Sequence, residues 1–198
     1  TTVIHPSVLY RVFLKIWRGV VPTTWLGEHG HYECFQGLPD GRLSADPYVV
    51  TGFWFNANFP DNSRNRSFVN DLLVQLSRRV PVVVVERVGF PHVAGSLADG
   101  RRIRVVSLKQ TEREFSELTG VIAGARAFIG TFGGTSLIAP FYNVPTSLVI
   151  DEPVGLRALH FSLAKEVAEA MPNVRFDLTK MKNFHLAQFD TWIDQALS

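Results

Sequence analysis

From Asp46 to the end of the chain, short apolar runs alternate with longer stretches in which apolar residues recur at helical spacing. Tyr48 to Phe55 is rich in β-branched and aromatic residues and predicts a strand. After the polar loop Asn56 to Asn65, Phe68, Leu72 and Leu76 fall on one helical face. Val82 to Val85 reads as a second, buried strand and Ile103 to Leu108 as a third, with the loop Gly89 to Gly100 between them. Thr111 to Arg126 predicts a helix with Phe115, Leu118 and Ile122 facing inward, and Thr111 with Glu114 has capping-box spacing. Ala127 to Thr131 is apolar without alternation, the pattern of a strand covered on both faces. Thr146 to Ile150 is a fifth strand, followed by a helix with Leu156, Leu159, Leu163 and Val167 inward. Val174 to Leu178 is a sixth, and the last helix buries Leu186, Phe189 and Ile193. Strands separated by helices predict an α/β fold: a Rossmann-like parallel sheet of about six strands, right-handed crossovers, and helices on both faces.

Before Asp46 the pattern differs. His5-Pro6-Ser7 opens a helix whose apolar positions are Leu9, Val12, Phe13 and Ile16 and which stops near Gly19. A weaker helical piece follows from Thr23 to Phe35, and Gly37, Pro39, Asp40 and Gly41 make a turn-rich linker. Residues 1–45 therefore read as an N-terminal helical segment and linker, and 46–198 as the domain. A length of 198 residues with 46% hydrophobic and 19% charged residues suits one well-formed core.

Charge and cysteine narrow the function classes. A net charge of +2 is too mild to indicate nucleic acid, and Arg78-Arg79 and Arg101-Arg102 with Arg104 sit at strand edges, where a solvated face explains them. The single cysteine, Cys34, cannot form an internal disulfide, which favours a reducing, cytoplasmic setting. No apolar run is long enough for a transmembrane segment and no signal peptide is evident, although the chain opens on Thr1, as in a trimmed or partial sequence. His31-Tyr32-Glu33 matches the front of a zinc-deaminase signature without its cysteine half, and Ser162 with Lys165 matches Ser-x-x-Lys inside an amphipathic helix; both are set aside. No G-x-S-x-G, H-E-x-x-H, Walker A or G-x-G-x-x-G motif occurs, and no metal site is expected.

The candidate chemistry centres on Ala127 to Val149, AFIGTFGGTSLIAPFYNVPTSLV. A buried strand ends at Gly133-Gly134, which can take φ > 0 and let a ligand approach backbone N–H groups. Thr135 and Ser136 follow at a helix start, where hydroxyls cap amides or meet an anion, and Pro145 closes the unit before the next strand. This order, together with TGFWFNANFPDNSRNRSFV earlier, resembles the C-terminal, donor-binding domain of GT-B-fold glycosyltransferases, closest to poorly characterised bacterial members. The likeness runs from about Asp46 to the C-terminus. It implies that the turn holds the diphosphate of a nucleotide-sugar, that amides and not a metal meet the phosphate charge, and that no separate cofactor is used. It also implies a sugar or glycan acceptor and a cleft completed by an N-terminal domain or a second subunit; residues 1–45 then resemble the end of an acceptor domain. Many members carry Glu four residues into the helix, for the ribose, and Gly before the Val-Pro; this chain has Ile138 and Asn143 there.

In such sheets ligands bind beyond the carboxyl ends of the strands. That rule selects Asn56 and Asn58 after the first strand, Glu86 at the end of the second, the Ser107–Gln110 loop, Gly133, Gly134, Thr135 and Ser136 after the fourth, and Asp151-Glu152 after the fifth. His160, early in the following helix, lies near the same edge. The bare residues leave two further readings open: a non-catalytic Rossmann-like module that binds a nucleotide or a protein, and a nucleotide-sugar epimerase.

Overall fold

The computed structural model describes residues 6–30, 34–35, 46–87, 102–108, 113–151, 156–171, 174–184 and 186–197. Its strands are β1 (Val49–Gly52), β2 (Val82–Arg87), β3 (Ile103–Leu108), β4 (Ala127–Thr131), β5 (Thr146–Ile150) and β6 (Phe176–Lys180). They form a six-stranded sheet in the order β3-β2-β1-β4-β5-β6, and every pair is parallel. The fold is Rossmann-like α/β. Every residue of β1, β4 and β5 is buried, which is why these segments carry no charge and show no apolar–polar alternation.

The helices are α1 (Pro6–Trp17), α2 (Trp25–His29), α3 (Ser63–Arg79), α4 (Glu114–Ala123), α5 (Ile138–Phe141), α6 (Leu156–Ala170) and α7 (Leu186–Leu197). Alternate strand residues feed two cores. Val49, Val82, Val84, Ala127 and Ile129 meet α3 and α7 on one face. Val50, Val83, Val85, Phe128 and Leu148 meet α4, α5 and α6 on the other. The N-terminal helices join this second layer: the Phe13 ring lies 5.3 Å from that of His160 on α6, and an added Cβ on Gly27 of α2 would meet Glu166 and Ala170.

Several expected boundaries move, each for a local reason. The strand expected at Tyr48 to Phe55 is paired only over β1, because Phe53 and Phe55 leave the sheet to join Phe59 and Phe68 over α3. Asn62 caps α3, its side chain accepting from the Asn65 N–H at 2.9 Å, so helix begins inside the loop expected up to Asn65. Only one turn of the helix expected from Thr23 to Phe35 forms, since Gly30 is extended and ends it; Cys34 and Phe35 are not helical, and His31 to Glu33 lie outside the described residues.

On α4 Leu118 and Ile122 are buried as expected, and Phe115 is not. Phe115 is 66% exposed, and Leu118, Val121 and Ile122 face the sheet. The helix starts after Arg113 with no side-chain cap; Thr111, the other half of the expected capping box, lies outside the described residues. The sixth strand is shifted two residues towards the C-terminus, where Phe176 to Lys180 pair with Thr146 to Ile150. Of the inward positions named for the last two helices, Leu163, Phe189 and Ile193 are buried, whereas Leu159 and Val167 are half-buried; the side chains of Leu156 and Leu186 lie outside the described residues. The basic clusters fall on the surface: Arg78, Arg102 and Arg104 are exposed, Arg79 pairs with Asp190 and Asp194 on α7, and Arg101 lies outside the described residues. Asn143 has φ 56, the left-handed conformation that Gly would supply and that Asn tolerates best among other residues.

Candidate functional site

β1, β2 and β3 are laid down in one direction across the sheet, and β4, β5 and β6 in the other. The chain therefore reverses between β1 and β4, the place beyond the carboxyl ends of the strands where ligands bind in sheets of this topology. At this point Gly52 faces Gly130 in register. A Cβ on Gly130 would lie 2.2 Å from the Gly52 carbonyl oxygen, and one on Gly52 would lie 2.6 Å from the Trp54 ring, so both glycines are needed for close approach. Thr131, 1% exposed at the end of β4, ties the two loops together, its hydroxyl accepting from the Trp54 N–H at 3.1 Å and donating to the Trp54 carbonyl at 3.5 Å.

The next residues behave differently. Gly134 is right-handed helical, with φ −54 and ψ −41, and Gly19 alone among the described glycines has positive φ. The expectation that Gly133-Gly134 uses φ > 0 is thus corrected. Nothing lies within 4 Å of a Cβ added at either position. Neither backbone conformation nor crowding demands glycine there, yet two stand side by side with open space at their Cβ positions.

Thr135 to Leu137 form one turn of 3-10 helix and α5 adds one turn of α-helix. Such a short element carries little macrodipole, so the local N–H groups matter more. Ser136 is fully buried and closes the turn on itself: its hydroxyl accepts from the Gly133 N–H at 3.0 Å and donates to the Gly133 carbonyl at 2.7 Å. The Ser136 N–H is also used, donating to the Gly133 carbonyl at 3.1 Å. Ser136 therefore orders the turn. The amides of Gly134 and Thr135 have no intrachain partner among the described residues. Adjacent free N–H groups at a turn are donors of the kind that suit an anion.

The loop after β1 is mostly closed on itself. The Asn56 side chain accepts from the N–H groups of Asn58 (2.7 Å) and Phe59 (3.2 Å), an Asx turn backed by the Asn56–Phe59 bridge. Asp61 is held by both arms of Arg66, at 2.5 and 2.6 Å, which raises the guanidinium pKa above its ordinary value, chiefly through that hydrogen bond. Asn58 is different. Its carbonyl accepts from the Asp151 N–H at 2.8 Å, bridging the loops after β1 and β5, while its side-chain oxygen is buried with no partner among the described residues. A buried acceptor in that state calls for a donor.

Glu86 is 6% exposed near the end of β2. Two strand spacings, about 10 Å, separate it from β4. The exposed His160 ring lies tilted against that of Phe13 and, with Leu137, Pro140 and Phe141, lines an apolar groove of about 310 Å³ between α5 and α6. A second apolar groove, about 480 Å³, runs from Gly134 along α5 between Phe35, Phe115 and Tyr142. Ser107 is exposed and paired with Glu86 in the ladder; Lys109, Gln110 and Glu152 lie outside the described residues.

Sequence reasoning overlooked Thr131, Trp54 and the Gly52–Gly130 contact. The available signal was a glycine near the end of each of two buried strands. Among the described residues no three His, Cys, Asp or Glu side chains cluster as a metal site, and no helix is long and apolar enough to cross a membrane. Comparison with protein-family models and with curated proteins finds no match to this chain.

Proposed function

We propose that this chain binds a nucleotide-sugar as the donor-binding module of a GT-B-like glycosyltransferase, with 46–198 as the binding unit and 1–45 as a helical connector. The observation that carries the reading is the pair of adjacent amides, Gly134 and Thr135, without an intrachain partner among the described residues, beside two glycines whose Cβ positions are open, at the point where the sheet reverses. In this reading those amides and the Thr135 hydroxyl receive the diphosphate, and Ser136 holds the turn. The buried oxygen of Asn58 accepts from a sugar or ribose hydroxyl, and Glu86, about 10 Å across the sheet, accepts from another. Developing charge on the departing diphosphate is met by fixed N–H dipoles, which need no reorganisation during transfer. No general base is assigned; the acceptor and the second wall of the cleft come from a partner domain or subunit.

The test is a thermal-shift panel of UDP, GDP, ADP, CMP and their sugars. A ligand at a hundred times its dissociation constant stabilises the folded chain by about 2.7 kcal/mol. Gly134→Val should remove that gain and leave the fold intact, because its Cβ meets nothing. Equal shifts in wild type and variant would remove the site. A second reading, nucleotide binding without transfer, is favoured by Ile138, a half-buried apolar residue at the position where the resembled family carries its ribose-binding Glu. Product analysis with mixed acceptors and a supplied partner domain separates the two.

A further inference from the structure

Charge is unevenly spread along this chain. The first carboxylate is Glu28, and before it stand Arg11, Lys15 and Arg18, so residues 1–27 carry +3 against +2 for the whole chain. All three cations are exposed, and none has an ion-pair partner among the described residues. Their spacing of four and then three places them on one stripe of α1, which continues through Arg18 by its N–H bond to the Leu14 carbonyl at 3.1 Å. Ile16, 4% exposed, seats the opposite side of the helix on the protein.

Between the cationic stripe and the seated side lies an apolar edge with no cover. Trp17 is 56% exposed, and it falls about 100° round the helix from Arg18. Val20 is 69% exposed, held next to it by the turn at Gly19, where φ is 69 and the Val20 N–H bonds the Lys15 carbonyl at 2.9 Å. Cations flanking an exposed tryptophan, without a carboxylate, match an anionic surface with an apolar layer beneath it. A polyanion such as nucleic acid would leave the apolar edge without a use, and an ordinary protein partner would leave the uniform charge unexplained.

We infer that α1 and the Gly19 turn bind reversibly to anionic lipid surfaces, with Trp17 and Val20 entering the interface and Arg11, Lys15 and Arg18 contacting headgroups. Three cations and one aromatic edge make a weak, reversible anchor. The inference is independent of the donor site.

The experiment is sedimentation of the full chain with vesicles of phosphatidylcholine alone or mixed equally with phosphatidylglycerol. Binding is expected only with the anionic vesicles, falling as salt is raised. Changing Arg11, Lys15 and Arg18 together to Gln should lower partitioning about a hundredfold, and Trp17→Ser with Val20→Ser about tenfold or more. Circular dichroism checks each fold, and nucleotide-induced thermal shifts should be unchanged. Quenching of tryptophan emission by brominated lipid, reduced in Trp17→Phe, reads the contact in a minimally altered chain. Equal sedimentation with both vesicle types, or undiminished binding by the Gln variant, overturns the inference. So does a concentration-dependent dimer abolished by Trp17→Ser in a chain that ignores vesicles.

Discussion

Gly130→Ala and Gly134→Ala add the same methyl group four residues apart and should move stability in opposite directions. At Gly130 the new Cβ lands 2.2 Å from the Gly52 carbonyl oxygen, where ordinary contact begins at 3.4 Å. The obstacle is backbone in the centre of a parallel sheet, so β1 and β4 must part by about 1.2 Å from a spacing of about 4.8 Å. Overpacking of this kind costs about 1–3 kcal/mol, and a weakened ladder bond about 1 kcal/mol more; the expected loss is about 3 kcal/mol. At Gly134 the methyl meets nothing and the backbone is already right-handed helical. Restricting the unfolded chain there should stabilise by about 0.4–1 kcal/mol. Urea unfolding followed by tryptophan emission reads both. With a slope of about 2 kcal/mol/M, Gly130→Ala lowers the midpoint by about 1.5 M, while Gly134→Ala raises it slightly. Adding a nucleotide diphosphate to the second variant then asks what its glycine is for, since a more stable protein that binds less would tie Gly134 to a ligand. A Gly130→Ala midpoint within about 0.5 M of wild type, or a comparable fall at Gly134, would refute the reasoning.

Ser136→Ala removes both side-chain bonds to Gly133 and should cost about 1–3 kcal/mol, with weaker nucleotide binding because the turn loses its order; calorimetry with the best ligand checks both. Asn62→Ala deletes the α3 cap and should lower stability by about 1 kcal/mol without altering ligand affinity, as read by urea unfolding and titration. Nucleotide affinity should survive EDTA, because the proposed diphosphate contacts are amides; a large loss restored by Mg²⁺ or Mn²⁺ would contradict this.

Periodicity along the chain was sufficient for the class of fold. Buried parallel strands lie between covered faces, so Ala127 to Thr131 and Thr146 to Ile150 carry no charge and no apolar–polar alternation, the pattern from which their burial is read. The glycine turn was legible for the same reason: two glycines after a buried strand interrupt a local pattern. Properties that depend on what a residue meets were not legible. Phe115 shares a helical face with Leu118 and Ile122, yet it stands in the first turn of α4 and is exposed while those two are buried, a difference that spacing along the helix does not carry. Phe53 and Phe55 have strand propensity, but the aromatic cluster over α3 draws them off the sheet. At the site, a serine before a helix can cap, bind a ligand or close a turn, and only the fold turns the Ser136 hydroxyl back onto Gly133. Likewise three glycines within five residues look alike in sequence. The register of β1 against β4 makes Gly130 a packing requirement, while the open space at the Cβ positions of Gly133 and Gly134 leaves those two unrequired by packing.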